Sequence, residues 1–202
     1  MSAAGKVCTG FSKPYVAKYS NDAGAVTYSG VMLLARGVSV SLSLNTTDDN
    51  TFCADNISAE TAAAVFADGT ATLTVDGLLT AAEKFVLGLP EATEIQASGG
   101  AVQVSHYGDG MEIPYVGIGF VVRYQSGGVV TYAPVVLTKA RFQQPGLDAA
   151  TQEESIDWQT QELTATLMRD DTTNHDWKLV GADQPTEAAA EAVIKAILGG
   201  AA

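Results

Sequence analysis

The stretch that decides the fold is Met111–Phe142, MEIPYVGIGFVVRYQSGGVVTYAPVVLTKARF. From Tyr115 to Tyr124 it alternates. Ile118, Phe120, Val122 and Tyr124 fall on one face, and Gly117, Gly119, Val121 and Arg123 on the other. A period of two with β-branched and aromatic residues predicts a strand. Gln125-Ser126-Gly127-Gly128 is turn chemistry, because two glycines supply the positive φ that a tight hairpin needs. The return run, Val129–Phe142, is interrupted by Pro134. Proline has no N–H to give to a ladder, so an edge position, a bulge or a bend is expected there. The result is a long, central β-hairpin.

Around it the chain reads as mostly strand. Residues 1–24 are small and polar, with Pro14 and a Ser-Asn-Asp turn at 20–22. Val26 and Tyr28 share a face before Gly30 breaks the run. Val38, Val40, Leu42 and Leu44 alternate with Ser and Asn, the pattern of a half-buried strand. Asn45–Asn56 reads as a polar loop, and Ala71, Leu73 and Val75 alternate with threonines as another strand. Leu78–Gly88 is a short helix with Thr80 as N-cap and Gly88 as C-cap. Residues 90–110 read as loop around one short strand, Ala101–Ser105. Ile156 and Trp158 point inward, Leu163, Ala165 and Leu167 continue the alternation, and Trp177–Val180 is a short strand. Thr186–Leu198 is the best helix, capped by Thr186, striped by Ala190, Val193, Ile194, Ile197 and Leu198, and stopped by Gly199-Gly200. With no repeat and no linker, residues 1–202 form one mainly β, α+β domain.

The formal net charge is −12, from 23 acidic against 11 basic residues. That excludes a surface that wraps nucleic acid through phosphate contacts, which needs clustered Lys and Arg. Cys8 and Cys53 form no CxxC pair and read as reduced, partly buried thiols. No signal peptide is expected from MSAAGKVCTG, and Ala188–Leu198 is too short and too charged to span a bilayer, so a soluble protein made in a cytoplasm is expected.

Catalytic signatures are missing. His106, Asp109 and Glu112 could offer a metal one nitrogen and two carboxylates, but in no recognised spacing and within a Gly-rich loop. His175-Asp176 sits in a polar run that reads as a solvated turn. Asp48, Asp49, Asp55 and Asn56 lack the EF-hand glycine and terminal glutamate. No cofactor, metal or enzymatic activity is expected. Lys139 and Arg141 share a face and could pair with Glu153 and Glu154 across strands or between subunits.

An ordered set of segments resembles the major tail protein, the tube subunit, of long-tailed bacteriophages of the siphovirus type. The segments are AVTYSG (25–30), NTTDDNTFCADN (45–56), TLTVDGL (73–79), PYVGIGFVVRY (114–124), VVLTKARF with its trailing QQP (135–145), ESIDWQTQELTATL (154–167) and DWK (176–178). Together they span roughly residues 15 to 200. Cys53 and Ala54, and the long Gly-rich loop 98–110, depart from the pattern and touch loop contacts only.

The resemblance implies a β-sandwich or barrel-like tail-tube fold with one or two flanking helices and long loops. It implies hexameric rings stacked into a virion tail tube, assembled in the bacterial host cytoplasm. The tape measure, tail tip and tail terminator proteins would be partners, and double-stranded DNA would pass through without specific binding. An acidic lumen would repel phosphates and let the duplex slide. On this reading the candidate subunit-interface residues are Gly117, Gly119, Val121, Arg123, Lys139, Arg141, Glu153 and Glu154. Candidate inter-ring loops carry Asn45, Asp48, Asp49, Asn56, Gly99, Gly100, His106 and Asp109, and the N-terminal segment would also order on stacking. The rival classes are a monomeric β-sandwich ligand-binding module and, behind it, a metal-assisted hydrolase using His106, Asp109 and Glu112.

Overall fold

The computed structural model describes residues 5–48, 50–55, 57–147, 149, 151 and 159–200. The central hairpin forms as read: β9 (Val116–Ser126) and β10 (Val129–Phe142) pair antiparallel, and Gly127 (φ 56°) and Gly128 (φ 84°) make the turn. It is the middle of one sheet ordered β2-β1-β9-β10-β11-β6-β3, with β12 (Lys178–Val180) added to β10. The other strands are β1 (Val7–Asp22), β2 (Ala25–Leu33), β3 (Gly37–Thr46), β6 (Phe66–Val75) and β11 (Gln161–Met168). Two separate hairpins stand off this sheet: β4 (Asn50–Ala54) with β5 (Ile57–Ala62), and β7 (Thr93–Ala97) with β8 (Gly100–Val104). The fold is thus mainly β with, among the described residues, two helices, α1 (Thr80–Leu87) and α2 (Glu187–Ile197).

The sheet is curled. Every strand from β1 round to β3 sends side chains to one apolar cluster, including Val16, Ile118, Phe120, Leu137, Leu163, Leu73 and, half-buried, Leu42. The second strand and the last strand of the path approach each other, with the Phe11 ring lying over Gly37. Helix α1 contributes Ala82, Val86 and Leu87 to this cluster, at the end of the curl where β9 begins. A second cluster covers the opposite face of β1, β9 and β10: Tyr15, Ala17, Val121 and Val136 lie beneath Ala190 and Ile194 of α2 and its C-cap Leu198. Each fully buried Leu or Ile there contributes about 1.5–3 kcal/mol.

Four local expectations change. Residues 7–22 of the N-terminal segment are a 16-residue strand between β2 and β9, not a free arm. Its alternation is hidden by register shifts at Cys8/Gly10 and Ser12/Tyr15 against β9 and at Val16/Lys18 against β2, and by Lys13 at φ 55°. The segment 45–56 is not one loop: Asn45 and Thr46 end β3, and Asn50–Ala54 is a strand. Likewise β7 stands where loop was expected. Thr80 is the first helical residue; Leu79 is the N-cap, with no side-chain cap bond.

Gly88 closes α1 in the left-handed conformation, and Thr186 Oγ1 accepts from the Ala189 N–H to cap α2. Pro134 lies in the ladder opposite Val121. On its other side Tyr132 bonds Gln184 and the Pro134 carbonyl accepts from Gly181 N–H, so the missing N–H faces an irregular segment rather than a strand. Both cysteines are free and exposed, against the expectation of partial burial. No helix among the described residues is long and apolar enough to cross a membrane.

Candidate assembly surfaces

The glycine face of β9 is not on the surface. Gly117, Gly119 and Val121 are buried beneath α2 of the same chain. A Cβ on Gly117 would come 2.6 Å from Tyr28 Cε1 and 2.8 Å from Leu198 Cδ2, and one on Gly119 would overlap Ile194. The close backbone approach read from these glycines therefore serves the chain's own helix. Arg123, further along the same face, is half-buried, and its Nη1 donates to Thr9 Oγ1 at 2.9 Å.

Helix α2 is also tied to the sheet by carboxylates. Glu187 accepts from the Ser12 hydroxyl, and Glu191 accepts from the Tyr15 hydroxyl while pairing with Lys195 at 2.7 Å and Lys13 at 3.6 Å. Lys195 and the Tyr15 hydroxyl hold the Glu191 carboxyl below its ordinary range. The helix is thus a fixed layer, and it withdraws these residues from the set available to a neighbour.

Lys139 and Arg141 occupy the other end of β10. Glu153 and Glu154 lie outside the described residues; the partner the structure gives Lys139 is Asp171, at 2.7 Å. Lys139 Nζ also sits 5.0 Å from the Tyr19 ring centre and 5.1 Å from that of Tyr115. Tyr19 donates its hydroxyl proton to Asp171 at 2.6 Å and accepts from the Asp171 N–H at 3.0 Å. Donors from Lys139 and Tyr19 hold the Asp171 carboxyl below its usual range. Burial, then the bond to that carboxylate, pushes the Tyr19 phenol up to about 12. Arg141 is exposed, 5.8 Å from the Tyr115 ring centre.

The predicted loop residues separate into three places. Asn45 donates to Asp68 at 2.6 Å, and Asp48 is exposed; Asp49 and Asn56 lie outside the described residues. Gly99 and Gly100 form the tip of the β7–β8 hairpin. His106 and Asp109 follow it, exposed, with His106 Nε2 bonded to Thr93 Oγ1 at 2.7 Å. Among the described residues, no group of three or more His, Cys, Asp or Glu side chains could hold a metal ion. His175, at φ 54°, closes a turn: its N–H bonds the Thr172 carbonyl and Nδ1 lies 3.2 Å from the Asp170 carbonyl.

What the sequence reading missed are the apolar residues on the two outlying hairpins. Phe52 and Ile57 on β4–β5 are 64% and 68% exposed, and Ile95 and Val102 on β7–β8 are both 51% exposed. Ile95 and Val102 are cross-strand partners. With Thr93, Ala97 and Val104 they make one face of β7–β8 largely apolar, while Glu94, Gln96 and Gln103 occupy the other. The signal was present: Thr93, Ile95 and Ala97 alternate with Glu94 and Gln96 before the Ser98-Gly99 turn.

A two-stranded ribbon is marginal in water unless something packs against it. Two such ribbons carrying exposed large apolar side chains are surfaces suited to a partner. Among the described residues, the outer edges of β2 and β3, the two ends of the sheet path, have no strand partner. Set against known proteins, the chain matches no protein-family pattern and no curated relative.

Proposed function

We propose that this chain is a structural virion protein, the tube subunit of a long-tailed bacteriophage. It assembles in the host cytoplasm into hexameric rings that stack into a tail tube conducting DNA during ejection. The observation that carries the reading is the pair of apolar hairpins standing clear of a well-filled core. Their exposed Phe52, Ile57, Ile95 and Val102 contrast with interior side chains that are almost fully buried. Strand edges such as those of β2 and β3, without a strand partner among the described residues, are a hazard to a monomer and an asset to a polymer, since each edge can pair with a neighbour. The resemblance of the ordered segments to tail-tube subunits supplies the kind of polymer. The net charge of −12 per copy suits a channel that must not retain a polyanion.

The test is negative-stain electron microscopy of the purified protein across a concentration series, with sedimentation velocity beside it. Hollow tubes or six-fold rings are expected at high concentration. A monomer at every concentration, with and without added tail-tip complex, overturns the proposal.

A further inference from the structure

Where β6 and β10 end and β11 begins, the structure holds a cleft of about 350 Å³, the size of a small-molecule site. Its lining comes from residues 143–147 after β10, 76–77 after β6, and 159–162 with Thr164 at the start of β11. The side chains are polar and almost uncharged. Gln143, Gln144, Gln159 and Gln161 bring carboxamides, and Thr160 and Thr164 bring hydroxyls. Among the described residues, no Lys, Arg, His or Cys lines the cleft. Of its two carboxylates, Asp76 is already engaged, accepting from the Arg36 backbone N–H at 2.9 Å and from the Arg36 guanidinium. Glu162, exposed on β11, is the other. Gln161 Oε1 accepts from the Leu78 N–H at 3.0 Å, which fixes that side chain in the wall.

Glu162 and Thr164 also belong to the outer face of the sheet, because Leu163 and Ala165 point into the core. The strand registers set that face in rows: Glu162–Thr74–Ser39, Thr164–Thr72–Ser41 and Thr166–Thr70–Ser43. Helix α2 covers the outer face of β1, β9 and β10, whereas β11, β6 and β3 present these hydroxyls. Glu162 is the one ionisable side chain in the three rows, and Arg141 stands beyond Thr166 on β10. In a chain of net charge −12 such a neutral surface is set apart.

The lining selects a ligand. Hydroxyls and carboxamides both donate and accept, and so do the hydroxyls of a sugar. A polyanion finds no cation in the cleft and an acidic protein around it. A peptide added as a strand needs a long open edge. β11 has β6 beside it along Gln161–Leu167, and β10 and then Gln143 on its other side down to Thr164. Pro145 supplies an apolar surface for the C–H face of a pyranose ring. We propose that this cleft binds a neutral saccharide. One sugar unit sits in the cleft against Glu162 and Gln143, and the chain continues across the hydroxyl rows of β6 and β3. The proposal is independent of the assembly reading.

The test titrates the isotope-labelled, full-length chain with cellotriose, maltotriose, mannotriose and tri-N-acetylchitotriose, with spermine and sulfated dextran as charged controls. Amide chemical shifts are the readout. At least one trisaccharide should move the signals of Gln143, Thr160 and Glu162, with a Kd of about 1 mM or tighter. Neither charged control should move them. No response to any trisaccharide overturns the proposal. A response to spermine overturns it too, since the cleft would then be reading the Glu162 charge. Glu162→Gln keeps the shape and removes the charge, and should weaken binding about tenfold. Both Glu162 and Gln143 are exposed, so the variants should keep the circular dichroism of the parent chain. Binding that survives Glu162→Gln and Gln143→Ala together refutes the site. Thr72→Val should weaken the trisaccharide but not the matching monosaccharide; an unchanged trisaccharide affinity removes the hydroxyl rows from the site. Shifts in these rows on raising the protein concentration without sugar would assign the face to a second copy and overturn the proposal.

Discussion

Substituting Gly119 separates two readings of the β9 face. Its backbone is ordinary extended strand, so an alanine costs nothing in φ. Removing a glycine from the unfolded chain even favours folding by about 0.4–1 kcal/mol. Against this, the new methyl would overlap Ile194 Cγ2 and lie 3.1 Å from Leu198 Cδ1, on and at the C-cap of a helix pinned by Glu187 and Glu191. Overpacking of this kind costs about 1–3 kcal/mol, so Gly119→Ala should lose on the order of 1–2 kcal/mol net. For a chain of this size that is roughly 2–8 °C in Tm.

The assay is a double-mutant cycle by urea denaturation, with Ile194→Ala as partner. Ile194→Ala alone should cost about 2–5 kcal/mol through its cavity. In the double variant the new methyl occupies part of that cavity, so the two losses should fall short of their sum by about 0.5–3 kcal/mol. Additivity within about 0.5 kcal/mol would refute the packing argument. So would a Gly119→Ala monomer of unchanged stability that fails to assemble, since that would move this face from beneath α2 to an interface between copies.

The Tyr19 phenol is raised, so it favours the folded state most fully below its unfolded value of 10.0, and that contribution is lost as pH rises toward about 12. Tyr19→Phe should therefore flatten the fall in stability across that alkaline window, followed by thermal melts beside a phenolate absorbance titration; an unchanged alkaline slope would show that Tyr19 does not govern it. Thr186→Ala removes the acceptor for Ala189 N–H and should cost about 1 kcal/mol, measured as a lowered urea midpoint at constant m-value. A midpoint unmoved by that change would mean that α2 is held by Ile194, Leu198 and its carboxylate ties alone.

The central hairpin, the alternating β6 and β11, and α2 with its Thr186 cap were legible because each rests on neighbours in sequence. A Gly-Gly turn, a period of two and an N-cap threonine act within a few residues. Strand β1 was not legible, because Pro14 to Ala17 are buried in succession. Val16 joins the inner core while Tyr15 and Ala17 lie under α2, so both faces are covered and alternation vanishes. The arm β7–β8 escaped for the opposite reason: nothing among the described residues buries it, so its short alternation looked like loop.

The amino-acid sequence thus determined where strands and helices form, through periodicity and local hydrogen bonding. Only tertiary structure decided which face meets which. Gly117 and Gly119 face α2 because a helix some seventy residues later packs there, and Lys139 pairs with Asp171 because the 169–177 turn folds back to it. Such contacts depend on chain closure over long separations, which no local pattern encodes.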